Sequence, residues 1–186
     1  MRIITGSARG AKLMTLEGLN TRPTAERTKE AIFSMLQFDL VGREVLDLFS
    51  GSGQMGLEAL SRGATHAVLC DKSRDAVAVI TKNAEKTRLK EKCTILCFDH
   101  ADCIRRMALM GKRFDIVFLD PPYASSLLVD SLQRLCDEGL LTEDAVVICE
   151  SGMPDLDIPN GLKIVRKAKY GAAYVTFIKV RGEETE

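Results

Sequence analysis

Short apolar runs alternate with longer stretches of helical periodicity along most of this chain. The runs fall at Glu44–Leu48, His66–Cys70, Cys93–Phe98, Phe114–Leu119 and Ala145–Cys149, each bounded by Gly, Pro or charge. Residues apolar in succession suit strands covered on both faces, as in a parallel sheet. Between the runs, Met55–Arg62, Arg74–Arg88, Ala101–Met110 and Leu127–Glu138 carry apolar residues at helical spacing. In the second of these, Val77, Ile80, Thr81 and Ala84 share one face, while Lys82, Glu85 and Lys86 point elsewhere. Ser73 fits an N-cap, and Gly63 and Gly139 fit helix stops. This alternation predicts an α/β fold, a mostly parallel doubly wound sheet with right-handed crossovers.

Two segments depart from that rhythm. At the C-terminus, Leu162–Lys169 and Ala173–Val180 flank Tyr170-Gly171-Ala172 and predict an antiparallel hairpin closing the sheet edge. At the N-terminus, Arg2–Thr5 and Lys12–Thr15 predict a small β-hairpin around Gly6–Gly10. A helix follows from about Thr24, its cap, to Phe38. The expected organisation is one domain over 1–186, with an arm and helix at 1–40 and the core at 41–186. The acidic tail Glu183–Glu186 is expected to fray.

A length of 186 residues suits one domain, and 46% hydrophobic with 28% charged residues is globular rather than disordered. Acids and bases balance at 26 each, so no global field draws the chain to nucleic acid or membrane, although a local basic patch remains open. No apolar run approaches the roughly 20 residues of a bilayer span, and the start lacks a secretory signal pattern. The expected location is cytoplasmic. The cysteines at 70, 93, 97, 103, 136 and 149 form no CxxC pair, and His66 and His100 lack zinc-finger spacing. Cys70, Cys97 and Cys149 fall within apolar runs and read as buried, reduced thiols with no metal or redox role.

Candidate chemistry begins directly after the first strand. Gly51, Gly53 and Gly56 in Asp47-Leu-Phe-Ser-Gly-Ser-Gly-Gln-Met-Gly56 match G-x-G-x-x-G, and Asp71 follows Gly51 by 20 residues at the end of the second strand. Such a loop lets backbone approach a ligand and offers helix N–H groups to an anion. The spaced acid accepts ribose hydroxyls. NAD and S-adenosylmethionine both use this geometry. Asp47, four residues before Gly51, would oppose a pyrophosphate but suits an amine and a sulfonium, which favours S-adenosylmethionine.

The fourth run ends in Asp120-Pro121-Pro122-Tyr123. The prolines end the strand and have no N–H to donate, so their carbonyls stay exposed where a parallel strand faces the ligand crevice. Asp120 and the Pro121 carbonyl are then two acceptors beside the Tyr123 ring. That cluster suits a planar base with an exocyclic NH₂: the acceptors hold its hydrogens and the ring stacks on the base.

Asp120–Tyr123 resembles the (D/N/S)-P-P-(Y/F) motif of amino-nitrogen methyltransferases, and Asp47–Gly56 resembles their cofactor loop. The wider chain is similar to the bacterial RsmD family, which methylates N2 of a guanine in 16S ribosomal RNA. The likeness runs through Met1–Gly6, Arg9-Gly10-x-Lys12-Leu13, Arg22-Pro23-Thr24-x-x-Arg27-x-x-Glu30-x-x-Phe33, Leu46–Gly53, Gly56–Gly63 and the Asp120 tetrapeptide. It implies a Rossmann-like class I S-adenosylmethionine-dependent methyltransferase. On the matching positions Asp47, Gly51 and Gly53 would hold the methionine end, with Phe49 in the same cofactor-binding loop. Asp71 would hold the ribose and Asp99 the adenine edge, while Asp120, Pro121, Pro122 and Tyr123 would take the guanine amine.

Through Lys29 the N-terminal segment carries six bases against two acids. Arg2, Arg9, Lys12, Arg22 and Arg27 are the candidate phosphate contacts for 16S rRNA. A paired guanine amine cannot reach a cofactor, so the target must be unpaired or flipped, and a preassembled small ribosomal subunit would present it. Neither a metal nor a membrane is expected as partner, and a monomer is the default. The alternatives are an amino methyltransferase acting on DNA adenine N6 or cytosine N4, an NAD-dependent oxidoreductase, and an RNA-binding module without activity.

Overall fold

The structure, a computed structural model, describes residues 1–16, 23–122 and 125–182. Arg22, Tyr123 and the acidic tail lie outside the described residues. Helix α1 (Pro23–Met35) opens on proline, whose missing N–H costs nothing in a first turn. Thr24 therefore lies inside that turn and is not the cap. The helix also ends before Phe38, because a turn at Leu36–Asp39 sends both Leu36 and Leu40 into the core and leaves Phe38 88% exposed.

Strand and helix then alternate through β1 (Glu44–Asp47), α2 (Gln54–Ser61), β2 (His66–Cys70), α3 (Arg74–Lys86), β3 (Cys93–Leu96), α4 (His100–Leu109), β4 (Phe114–Leu119), α5 (Ser125–Asp137) and β5 (Leu141–Ser151). The hairpin β6 (Leu162–Tyr170) and β7 (Ala173–Val180) completes a seven-stranded sheet of order β3-β2-β1-β4-β5-β7-β6. The first five strands run parallel, and β7 joins β5 antiparallel. Chain direction around the sheet reverses between β1 and β4, which opens a crevice outside their carboxyl ends. The expected Rossmann-like fold is therefore present.

The sheet separates two apolar layers. One packs Ile3, Phe33, Leu57 and Ile80 of the arm, α1, α2 and α3 against it, and the other packs Met107, Leu128 and Leu132 of α4 and α5. Ser73 caps α3 by accepting from Ala76 N, and Gly63 and Gly139 follow α2 and α5 with positive φ, as their sequence context predicts. Strand β5 is longer than its apolar run, since its register with β4 shifts between Phe114 and Ile116 and leaves Glu143 and Asp144 exposed. Strand β3 is shorter and stops at Leu96. Cys97 is consequently exposed, unlike the buried Cys70 and Cys149.

The N-terminal arm doubles back, with Ile3 N donating to Ala11 O and Leu13 N to Met1 O, yet it forms only a single bridge, Arg2–Lys12. Several of its other backbone groups bond to buried side chains instead of a strand partner. Ile4 N and Thr5 N donate to the two oxygens of Glu58 at 2.7 and 3.0 Å. Met14 N donates to Asn83 Oδ1, and Asn83 Nδ2 donates to Met14 O and to Ser52 O in the glycine loop. Gly6 turns between them at φ +88°, where a Cβ would lie 1.8 Å from the Ser61 carbonyl oxygen. No other residue fits that approach.

Candidate active site

Burial of the parallel strands carries their last residues to one rim, where β1, β2 and β4 each end in or beside an acid. Asp47 closes β1, Asp71 follows β2, and Asp120 follows β4. Leu119 pairs with Cys149, so Asp120 stands level with Glu150 of β5. Glu150, which with Ser151 matches the resembled family's pattern after the fifth run, is a residue to which the sequence reading assigns no site role. Its signal is the same as that of Asp120, an acid at the carboxyl end of a buried parallel run beside β4.

Asp47 is 4% exposed and its Oδ2 accepts from Gly56 N at 3.0 Å, which fastens the start of α2 to the end of β1. Ser50 Oγ donates to the Asp47 carbonyl at 2.6 Å and sets the loop's first turn. Burial pushes the Asp47 carboxyl up to about 7; the Gly56 N–H opposes that rise and the charge of Asp71 adds to it. Asp71 divides its two oxygens between Gly51 N and Ser73 N, both at 2.9 Å. The acid spaced from the glycine loop thus holds the loop in shape. Each oxygen keeps a second lone pair for a ligand.

Asp120 is packed round by protein yet open toward the crevice. Desolvation first, then the neighbouring carboxylates of Glu150 and Asp47, raise it to about 7. Burial also raises Glu150. Among the described residues no salt bridge reaches Asp47, Asp120 or Glu150. Three crowded carboxyls without a cation make a site that a cationic ligand would complete and a pyrophosphate would not. Above this floor the loop is open: at Gly51, with φ +55°, a Cβ would meet nothing within 4 Å and would project into free space. Backbone N–H groups of the loop can therefore be approached closely.

The remaining sequence candidates scatter more. Phe49 turns toward α4 and α5, where its ring stacks on His100 at 5.9 Å and 27°. His100 Nε2 in turn meets Asp130 Oδ2 at 2.7 Å, and Arg134 Nε donates to the same oxygen. Arg134, then His100, hold Asp130 below the usual carboxylate range. Exposed Asp99 caps α4 by accepting from Asp102 N at 2.9 Å, just beyond the carboxyl end of β3. Pro121 is half-buried and Pro122 exposed beyond β4.

Arg2, Arg9 and Lys12 of the arm and Arg27 of α1 are exposed. Lys29 differs from these four, being 2% exposed with its Nζ 3.0 Å from Glu58 Oε2 and 2.8 Å from the Arg2 carbonyl. Burial pulls its ammonium below the usual lysine range, against the pull of Glu58. It is a fastening for the arm and not a surface charge. Arg62 Nε completes the cluster by donating to Glu58 Oε1 at 2.8 Å, its guanidinium lying 4.9 Å over the Phe33 ring.

Residues 1–179 match the model of the family described as Conserved hypothetical protein 95. YlbH of Bacillus subtilis is 34% identical over 185 residues, which cover 98% of this chain and 100% of that protein. Ribosomal RNA small subunit methyltransferase D of Escherichia coli (strain K12) is 34% identical over 165 residues, 89% of this chain and 79% of that one. The solved structure of yhhF from Escherichia coli superposes with a TM-score of 0.87 at 30% identity, covering 98% of this chain and 99% of the other.

Proposed function

The chain belongs to the family of ribosomal RNA small subunit methyltransferase D, and on that premise we propose that it places a methyl group on the exocyclic N2 amine of a guanine in 16S ribosomal RNA. One observation carries the reading: Asp120 stands at the crevice mouth between two further carboxyls, Asp47 and Glu150, with an open glycine loop beside them. This acidic floor fits S-adenosylmethionine, whose ammonium and sulfonium are positive. When bound, that cofactor supplies an electrophilic methyl group and leaves as S-adenosylhomocysteine.

Asp47 would meet the ammonium, and the N–H groups of the loop at Gly51 and Gly53 its carboxylate. Phe49, braced on His100, would wall the same loop. The spare lone pairs of Asp71 would accept the ribose hydroxyls, and Asp99 would accept the adenine amine at the mouth. Asp120 and the Pro121 carbonyl would take the two hydrogens of the guanine amine, directing the nitrogen lone pair away from the ring and toward the cofactor side. Pro122 fixes that turn, and Tyr123 would stack on the base. Alignment supplies most of the rate. A carboxyl held at about 7 is also a competent base for the surplus proton near neutral pH, which goes to Asp120 or to water. The exposed cations Arg2, Arg9, Lys12 and Arg27, with Arg22, would contact RNA phosphates beside the crevice.

The raised Asp47 carboxyl predicts a pH dependence of cofactor affinity. The group is protonated below about 7 and must ionise to hold an ammonium. Affinity for S-adenosylhomocysteine is therefore expected to plateau above about pH 7 and to fall by up to about tenfold per pH unit below it, following one linked proton. Calorimetric titration across that range checks it, and Asp47→Asn should flatten the profile. In the free protein the sign is opposite. The native state keeps a proton that the unfolded chain releases, so ionising Asp47 lowers stability as pH rises from the ordinary carboxylate range to about 7, and bound cofactor offsets that loss.

The reaction is tested with radiolabelled S-adenosylmethionine on small subunits lacking base methylation, beside naked rRNA and duplex DNA. Label in N2-methylguanosine, more from the particle than from naked RNA, is the expected result. Label confined to DNA, or no label despite bound cofactor, overturns the reading.

A further inference from the structure

Strand β6 is the outermost strand of the sheet. From Leu162 to Gly182 its hairpin carries six cations, Lys163, Arg166, Lys167, Lys169, Lys179 and Arg181, and no acid. The acid-free arm at residues 1–16 has three, in a chain whose charges balance at 26 each. Lysines on an edge strand also discourage pairing with another sheet. The position of these cations relative to the crevice separates that role from a ligand-binding one.

The register supplies the position. Asp120 stands level with Glu150, Glu150 pairs with Val175, and Val175 pairs with Ala168. Lys167 and Lys169 therefore bracket the level of Asp120, three strand spacings away, about 14 Å across the sheet. The charge also wraps the edge. Arg166 pairs with Phe177 and shares its face, while Lys167 and Lys169 share the other face with Thr176 and Tyr174. Lys169 Nζ lies 5.3 Å over the Tyr174 ring, and Tyr174 pairs with Ser151 at the rim. The arm occupies the opposite flank, pinned by Glu58 of α2 and Asn83 of α3.

We infer that the crevice end of β6, through Arg166, Lys167 and Lys169, binds the RNA backbone on the far side of the target nucleotide from the N-terminal arm. This rests on the RNA-methyltransferase reading above. Charge running round an edge suits a polyanionic chain crossing it, and a lysine meets phosphate as a mobile point charge. Among the described residues one ion pair stands in the way, Lys167 with Asp155 at 3.3 Å, and it is displaceable because Asp155 is 95% exposed.

The test compares the full chain with a Lys167→Glu/Lys169→Glu variant and a Lys167→Arg/Lys169→Arg variant. Binding to unmethylated small subunits is measured across a salt series, with S-adenosylhomocysteine affinity as the check on the core. The Glu variant is expected to bind about tenfold or more weakly, with a salt slope shallower by about 1.4 for two single-strand phosphate contacts. Its KM for the particle should rise at unchanged kcat, and the Arg variant should retain wild-type affinity. A Glu variant that matches the wild type in KM and slope overturns this inference alone, and so does an Arg variant that loses as much as Glu. A wild-type chain that binds S-adenosylhomocysteine but neither binds nor methylates RNA overturns the reading beneath it as well.

Discussion

Replacing Asp120 by alanine is expected to lower kcat by about 10²–10³-fold, the scale seen when one preorganised polar contact to a reacting group is removed. Affinity for S-adenosylhomocysteine should survive, because Asp120 follows β4 outside the glycine loop, and Asp47 and the loop N–H groups stay in place to hold the ligand's ammonium and carboxylate. The reason for so large an effect is electronic as well as steric. A guanine amine has its lone pair delocalised into the ring, and a carboxylate that captures an N–H bond returns density to the nitrogen. Asp120→Asn keeps an acceptor without the charge and should fall between alanine and wild type. Single-turnover rates with saturating cofactor, read beside calorimetric binding, separate chemistry from affinity. Full turnover in the alanine variant would sink the assignment.

The second large effect lies away from the crevice. Glu58 is 0% exposed and accepts from Ile4 N, Thr5 N, Lys29 Nζ and Arg62 Nε, so all four lone-pair positions of its carboxylate are engaged. Glu58→Ala would leave the Lys29 ammonium buried without its partner and strand two backbone N–H groups of the arm. Removing one partner of a buried pair costs about 3–5 kcal/mol, which for a chain of this size lowers Tm by on the order of 10 °C. The arm should also become an early site of proteolysis, since only the bonds of Ser7 and Ala8 to Ser61 and of Met14 to Asn83 would still hold it to α2 and α3. Arg62→Ala, removing a 13% exposed partner, should cost clearly less. Differential scanning calorimetry with limited digestion checks both; a Glu58→Ala protein as stable as wild type would remove the cluster from this role.

How far the sequence reaches differs between parts of the molecule. Runs apolar on successive residues are legible as buried parallel strands because both faces of such a strand must be covered, and the strand ends then carry Asp47, Asp71 and Asp120 to a common rim by topology alone. Ser73 and Gly63 are equally local, since a cap and a helix stop concern only a few neighbouring residues. Phe38 and Cys97 are less legible, because the point where an element ends decides which apolar residues enter the core, and α1 and β3 each end before them.

By itself, then, the sequence determined the alternating α/β order, the glycine loop, the proline-terminated acid at Asp120 and a basic N-terminal segment. Only the tertiary structure decided what the charged groups in these places do. Lys29 and Arg27 look alike along the chain, yet one is buried on Glu58 and the other faces solvent. Glu150 gains its meaning from standing beside Asp120, and β6 from the register that sets its lysines level with the crevice. Charge is a property of a residue, but its energy depends on burial and on neighbours 50 or more positions away, as at Glu58 and Ile4. Periodicity along the chain carries no record of those distances.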